Sequence, residues 1–438
     1  MMRRAGWIAG ALLLGSAPTA DGALSPSEKT IGTSVEAGYE PAIGLLEKLV
    51  NQNSGSLNVV GVKAVADMLR PQFEALGFAV TWRPMDAVKR AGHLVAVHKG
   101  KAGGTKRLLI GHLDTVFEPD SPFQTFRRDG DMASGPGVAD DKGGVVTMLL
   151  ALKAMQAAGT LKAANIEVVL TGDEEDSGDP VSIARADLIQ AGKRADVALD
   201  FEGLSQEGGK DMGSIARRSS NSWTLTATGK SGHSSGIFSA SAGDGAIYEL
   251  ARIIVAFRKE LPEPNLTFNV GLIGGGQSAD IDKDGVRIAV TGKTNIIPPI
   301  AVAKGDFRTL SEEQTRRVRA KMQAIVDKGH LPGTGASIAF DMGYPSMAPT
   351  AGNRALLAKL NGVNADLGLA AMPELDPLKR GAGDIAFVAA DTDGLVGLGL
   401  ASSGDHSPAE KADLSTMKRQ AKRAAILMTR LAAEKGRK

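Results

Sequence analysis

The sequence predicts an α/β protein in which a mostly parallel mixed sheet, flanked by helices, is interrupted by an inserted βαββαβ (ferredoxin-like) module. Three observations carry that expectation. Residues 107–171 read as strand, long loop, helix, strand; near residue 213 the texture changes; after residue 347 strand and helix signals resume. The main unit is therefore expected over 24–212 and 348–438, with the module at 213–347. A chain of 438 residues is long enough for two such units, each with its own core.

The first twenty residues, MMRRAGWIAGALLLGSAPTA, have the pattern of an export signal. Arg3 and Arg4 precede an apolar stretch from Trp7 to Gly15, and small residues follow for cleavage. That stretch is too short to span a bilayer comfortably. The mature chain is expected to be periplasmic or secreted, with no membrane attachment once residues 1–20 are removed. Cysteine is absent, so an exported chain has no disulfides and must be held by a large core or bound metal. The formal charge of +2 comes from Arg3 and Arg4, and without a basic face nucleic acid is not an expected partner.

In the main unit, RLLIGH (107–112) is a buried strand and NIEVVLTG (165–172) the next one. Between them KGGVVTMLLALKAMQAAG (142–159) has apolar residues at helical spacing and Gly159 as a stop signal. This order implies a parallel pair with a right-handed crossover, and ligands collect outside the carboxyl ends of such strands. In the module, SWTLTATG (222–229) alternates as a half-exposed strand, and residues 242–261 form an amphipathic helix. LTFNVGLI (266–273) and PPIAVAKGDFR (298–308) are strands, 311–329 a helix and ASIAFDMG (336–343) a last strand. After residue 347, 353–368 and GLVGLGLASSG (394–404) restore the main unit.

The residues able to do chemistry fall at the ends of the buried strands. GHLDTV carries His112 and Asp114, GPGVADDKGG carries Asp140 and Asp141, and TGDEEDSG sets Asp173, Glu174, Glu175 and Asp176 side by side. ADVALDFEG adds Asp200 and Glu202, and ASSGDHSP adds His406. Taken singly, these read as a surface pair, a helix N-cap or a solvated loop. Together they form a nitrogen and oxygen donor set suited to divalent metals, zinc above all. Four adjacent carboxylates repel, and two cations sharing a bridging carboxylate would neutralise them and activate a water, with a remaining Glu as general base.

The ordered series GHLDTV, GPGVADDKGG, TGDEE, ADVALDFEG and GDHSP resembles the family of two-zinc exopeptidases and deacylases. That family includes glutamate carboxypeptidases, aminoacylases and succinyl-diaminopimelate desuccinylases. The resemblance implies a catalytic domain over 24–212 and 348–438, and a lid at 213–347 that mediates homodimerisation. It implies two zinc ions; cobalt or manganese are possible substitutes, since nitrogen and oxygen sites follow affinity and availability. His112 and Glu202 would hold one, Glu175 and His406 the other, and Asp140 would bridge them. Asp200 remains an alternative to Glu202, since side chains two apart on a strand share a face. Glu174 would be the general base and Asp114 the partner that orients His112. In the lid, His233 of GKSGHSSG would stabilise an oxyanion in the other subunit's site, while Asn295 and Arg308 would contact substrate. An Arg fork suits a terminal carboxylate, which favours a small peptide or N-acyl amino acid as substrate.

Two departures stand out. Many relatives carry Gly-Gly-Gly-Ser/Thr-Asp near the C-terminus, whereas RGAGDIAF has Gly383 in the hydroxyl position before Asp384. The acidic run also continues as DSGDP rather than as a Gly-rich loop. Both bear on substrate identity. The readings are a secreted dizinc amidohydrolase, a deacylase acting on a non-peptide amide, and a non-catalytic periplasmic protein that binds peptides or amino acids.

Overall fold

The computed structural model describes residues 24–283 and 285–436, so the export segment read at 1–20 lies outside the described residues. The first described helix, Pro26–Val50, starts where its sequence says a helix should. Ser25 accepts from the Glu28 amide, the Glu28 carboxylate accepts from the Ser25 amide, and Pro26 fills the first helical position.

The main sheet has six strands in the order Ala79–Met85, Arg90–His98, Asn165–Thr171, Lys106–His112, Val197–Asp200 and Asp393–Leu395. The first two pairings are antiparallel and the other three parallel. Successive side chains serve opposite faces. Leu109, Val168, Leu170 and Leu199 join the core under helices Pro26–Val50, Lys142–Ala157 and Ser415–Ala432. Leu108, Ile110, Val169 and Ala198 pack with Leu188 and Ala191 of helix Ala186–Arg194 on the other face. Burial on both faces explains why these strands read as unbroken apolar runs rather than as alternating ones. Helix Lys142–Ala157 lies against both long helices and is buried on nearly every side, so its apolar stripe is unusually broad.

The stretch 394–404 departs from expectation. Asp393–Leu395 joins the main sheet, whereas Ala401–Ser403 pairs with Lys411–Asp413 in a separate sheet. Gly397 turns the chain between them at φ 89°, a conformation that favours glycine.

Residues 221–340 contain a second sheet, in the order Thr267–Gly276, Ile300–Arg308, Asn221–Gly229, Thr334–Phe340, antiparallel throughout. Helices Ala246–Glu260 and Glu312–Val326 pack on it, which gives the expected strand–helix–strand–strand–helix–strand order. Trp223, Leu225, Leu250, Phe257, Phe307 and Met322 form a core separate from that of the main sheet. Two ribbons absent from the sequence reading are added, Ser278–Ile281 with Ile288–Thr291 and Gly232–His233 with Ile296–Ile297.

Candidate metal centre

Parallel register brings the acidic motifs together. His112 ends its strand opposite Thr171, so the segment at 173–176 leaves the sheet beside it. The Asp140 loop arrives at the same edge because helix Lys142–Ala157 starts almost in contact with the neighbouring strand end. A Cβ on Gly144 would lie 2.0 Å from the Phe201 carbonyl, so only glycine permits that approach. Asp141 occupies the N-cap position, yet it makes no side-chain cap. Its carboxylate accepts instead from the His112 amide at 3.2 Å. Glu410 shapes the loop from the opposite side, accepting from the amides of Gly137, Ala139 and Asp140.

At the centre, the two oxygens of Asp140 face different imidazoles. Oδ1 lies 3.0 Å from His112 Nε2, and Oδ2 lies 3.1 Å from His406 Nε2. Glu175 Oε2 is also 3.1 Å from His406 Nε2. His112, Asp140 and Glu175 each place a donor atom within 4.8 Å of the others. His406 reaches the cluster from an exposed loop, with its own backbone in the left-handed region at φ 60°.

Asp114 is fully buried and does more than sit behind His112. His112 Nδ1 lies 3.1 Å from the Asp114 carbonyl and 3.4 Å from its carboxylate. The carboxylate also accepts from Ser56 Oγ at 2.6 Å and from the amides of Glu174 and Glu175 at 3.0 and 3.1 Å. It thereby orients a histidine and positions two glutamates at once.

The four adjacent carboxylates separate by role, which corrects their common reading as metal-bound. Asp173 is buried against Arg185 at 2.6 Å, and exposed Asp176 pairs with Arg90 at 2.9 Å. Only Glu174 and Glu175 line the cleft, a cavity of about 910 Å³. Glu202 lines it as well, whereas Asp200 is buried with Oδ1 accepting the Glu202 amide. The Glu202 carboxylate is held through Oε2 by Arg217, with Arg380 at 3.4 Å from the same oxygen.

The electrostatics follow from this crowding. Burial and the Glu202 charge push the Glu174 carboxyl well above the usual carboxylate range. Burial also raises Glu175, to about 7. Burial would raise Asp140 too, but hydrogen bonds to His112 and His406 outweigh it and hold that carboxyl low. Hydrogen bonds to Asp140 and Glu175 lift His406 to about 11. The donor set of two imidazoles and a two-faced carboxylate fits a pair of divalent ions.

The remaining expected residues divide. Arg308 lines the cleft. His233 and Asn295 do not line it in their own chain. Both are exposed, and they meet on the Gly232–His233 ribbon, where the Asn295 carbonyl accepts from the Ser234 amide. Arg217, Arg380, Glu410 and Tyr344 were not singled out from the sequence. No local motif marks Arg217, whereas Glu410 lies four residues beyond His406 in the same loop. The site also accounts for Gly383. A Cβ there would lie 2.2 Å from Arg217 Nη1 and 2.7 Å from Glu202 Oε1, so the Arg217 guanidinium fills the space that a side chain at 383 would need.

Comparison with known proteins bears on this geometry. The model of peptidase family M20/M25/M40 matches residues 108–430, which span all the clustered residues. The chain belongs to peptidase family M20/M25/M40. Across 431 residues it is 28% identical to carboxypeptidase G2 of Pseudomonas sp. (strain RS-16), covering 97% of this chain and 98% of that protein. It is 26% identical over 308 residues to the succinyl-diaminopimelate desuccinylase of Leptothrix cholodnii, covering 66% of this chain and 74% of the relative. Among solved structures it shares its fold with aminopeptidase PepT from Bacillus cereus, at TM-score 0.69 and 17% identity over 90% of this chain and 99% of that one. A dinuclear metal-binding M20 peptidase from Bacillus subtilis matches at TM-score 0.64 and 15% identity, over 91% and 99%. As an M20 protein the chain is a metal-dependent hydrolase of peptide or acyl-amino-acid amide bonds, and the reading as a non-catalytic binding protein falls.

Proposed function

We propose that this M20 hydrolase cleaves the amide bond of a small peptide or N-acyl amino acid, in the manner of a glutamate carboxypeptidase, with two zinc ions that cobalt or manganese can replace. The observation that carries the reading is Asp140, whose two oxygens face two different histidines at 3.0 and 3.1 Å. Asp140 would bridge the ions, His112 and Glu202 would complete one site, and Glu175 and His406 the other. Glu202 is preferred to Asp200 because it is the one that lines the cleft. The chemistry that bound cations supply is polarisation of the scissile carbonyl and acidification of a water. Glu174 takes the proton of the attacking water and passes it to the leaving amine, a role suited to a buried carboxyl of raised pKa. Asp114 keeps His112 and the Glu174 backbone in register. Arg308, on the cleft wall, would receive the substrate's terminal carboxylate, and Asn295 would contact substrate as well.

The unit at 213–347 is proposed as a lid and homodimer interface, through which His233 would serve the site of a second copy as an oxyanion donor. Export to the periplasm or beyond, after loss of residues 1–20, belongs to the same proposal. The test is a panel of dipeptides and N-acyl amino acids offered to the purified protein with zinc. Cleavage that is abolished by chelation and restored by zinc supports the reading. Undiminished cleavage in the metal-stripped protein defeats it.

A further inference from the structure

The two connections between the main unit and the second sheet run side by side as a ribbon, bridged at Arg217–Met347 and Ser220–Tyr344. Each connection sends one side chain into the site. Arg217 reaches Glu202, and Tyr344 reaches the loop that carries Glu174 and Glu175. The Tyr344 hydroxyl donates to the Glu174 carbonyl at 2.8 Å and accepts from Arg185 Nη2 at 2.5 Å. Arg185 is wholly buried and holds Asp173 at 2.6 Å, Asp384 at 2.7 Å and the Asp173 carbonyl at 2.9 Å. The Tyr344 ring stands edge-on to Phe387 at 4.8 Å, with the Arg185 guanidinium 5.5 and 5.6 Å from the two rings.

The peptide units bearing the two glutamates are thus gripped on both sides. Asp114 takes the amides of Glu174 and Glu175, while Arg185 and Tyr344 take the carbonyls of Asp173 and Glu174. A backbone held at both N–H and C=O has little freedom to rotate, so the direction of the Glu174 side chain is set by this grip. Three of the four gripping atoms, both Asp114 carboxylate oxygens and Arg185 Nη2, come from the main unit. The fourth, the Tyr344 hydroxyl, comes from the ribbon, in the segment that follows strand Thr334–Phe340.

We propose that Tyr344 is a positioning residue that ties the placement of the second unit to the alignment of Glu174, so that the base is correctly aimed when the ribbon stands as observed. The inference rests on Glu174 being the general base, as proposed above.

Tyr344→Phe keeps the ring on Phe387 and Arg185 and deletes only the hydroxyl. The expected result is a kcat lower by roughly tenfold, about the worth of one positioning hydrogen bond, with KM within about twofold. Metal content should match the unaltered protein, the melting temperature should fall by roughly a few degrees because buried Arg185 loses an acceptor, and the amides of 172–178 should exchange hydrogen faster. Phe387→Leu, which loosens the ring packing but keeps the hydroxyl, should lower the melting temperature and leave kcat in place. An unchanged kcat in Tyr344→Phe overturns the proposal, and so does an equal kcat loss in both variants or a loss that tracks metal content. Glu174→Gln assayed alongside separates the two levels. If it stays active, the base assignment fails; if it is inactive while Tyr344→Phe is normal, only the coupling fails.

Discussion

At the residue scale, the centre is organised by carboxylates that each satisfy several partners. Asp114 accepts from Ser56 and from two glutamate amides while facing His112, and burial is offset by those contacts so that its carboxyl stays low. Asp140 is ionised between two imidazoles, and Glu174 is raised by burial and by Glu202. Two acids that line one cleft and are pushed in opposite directions fit a division in which one holds charge and the other moves a proton, as proposed. Glu174→Gln preserves shape and removes the proposed base. Turnover should fall about 10²–10⁴-fold. Metal content, read by elemental analysis, should be unchanged, and a near-normal rate would refute the assignment. The motif order in the sequence was enough to nominate these side chains. Their division of labour was not legible there, because Asp173 and Asp176 look the same as Glu174 and Glu175 until Arg185 and Arg90 are placed beside them.

At the scale of elements, local signals and observed boundaries agree where the chain supplies its own caps. Ser311 caps helix Glu312–Val326 through the Gln314 amide, and the Ser25–Glu28 box starts helix Pro26–Val50, though that helix was not read from its pattern. Helix Ala246–Glu260 is tied to the turn beyond helix Glu312–Val326 by a single acid. Glu249, with a fully buried side chain, accepts from the Leu331 amide and contacts Arg252 and His330. Burial would raise its pKa, but the bonds from Arg252, Leu331 and His330 lower it from 4.5 to about 2. A depressed acid stabilises the fold above its unfolded pKa and loses that contribution as the pH falls through its folded value. Glu249→Gln should therefore destabilise by about 2 kcal/mol at neutral pH, the scale of hydrogen bonds to a charged group. The gap between variant and parent should close between pH 4.5 and about 2. Urea melts at pH 7 and pH 3 check this, and a constant gap would show that the charge is not responsible.

At the scale of the whole molecule, two cores are joined by one ribbon, and the centre draws on segments at 112–114, 140, 174–175, 202 and 406. Ions bound there would hold the folded state and not the separated chain. Zinc at a hundredfold excess over Kd should stabilise by about 2.7 kcal/mol per site. A chelator-treated sample titrated with zinc in a thermal melt reads this directly. No rise in melting temperature would show that the cluster holds no ion of consequence.

The sequence alone determined the α/β class, the βαββαβ order of the second unit and the identity of the clustered His, Asp and Glu residues. Each of these is written in local periodicity or in the order of short motifs along the chain. Only the tertiary structure decided which acid faces which cation. Glu202 turns to Arg217, Arg217 fills the space above Gly383, and Tyr344 grips a loop 170 residues away. The physical reason is that the fate of a buried charge is set by its neighbours in space, and these neighbours are far apart in sequence.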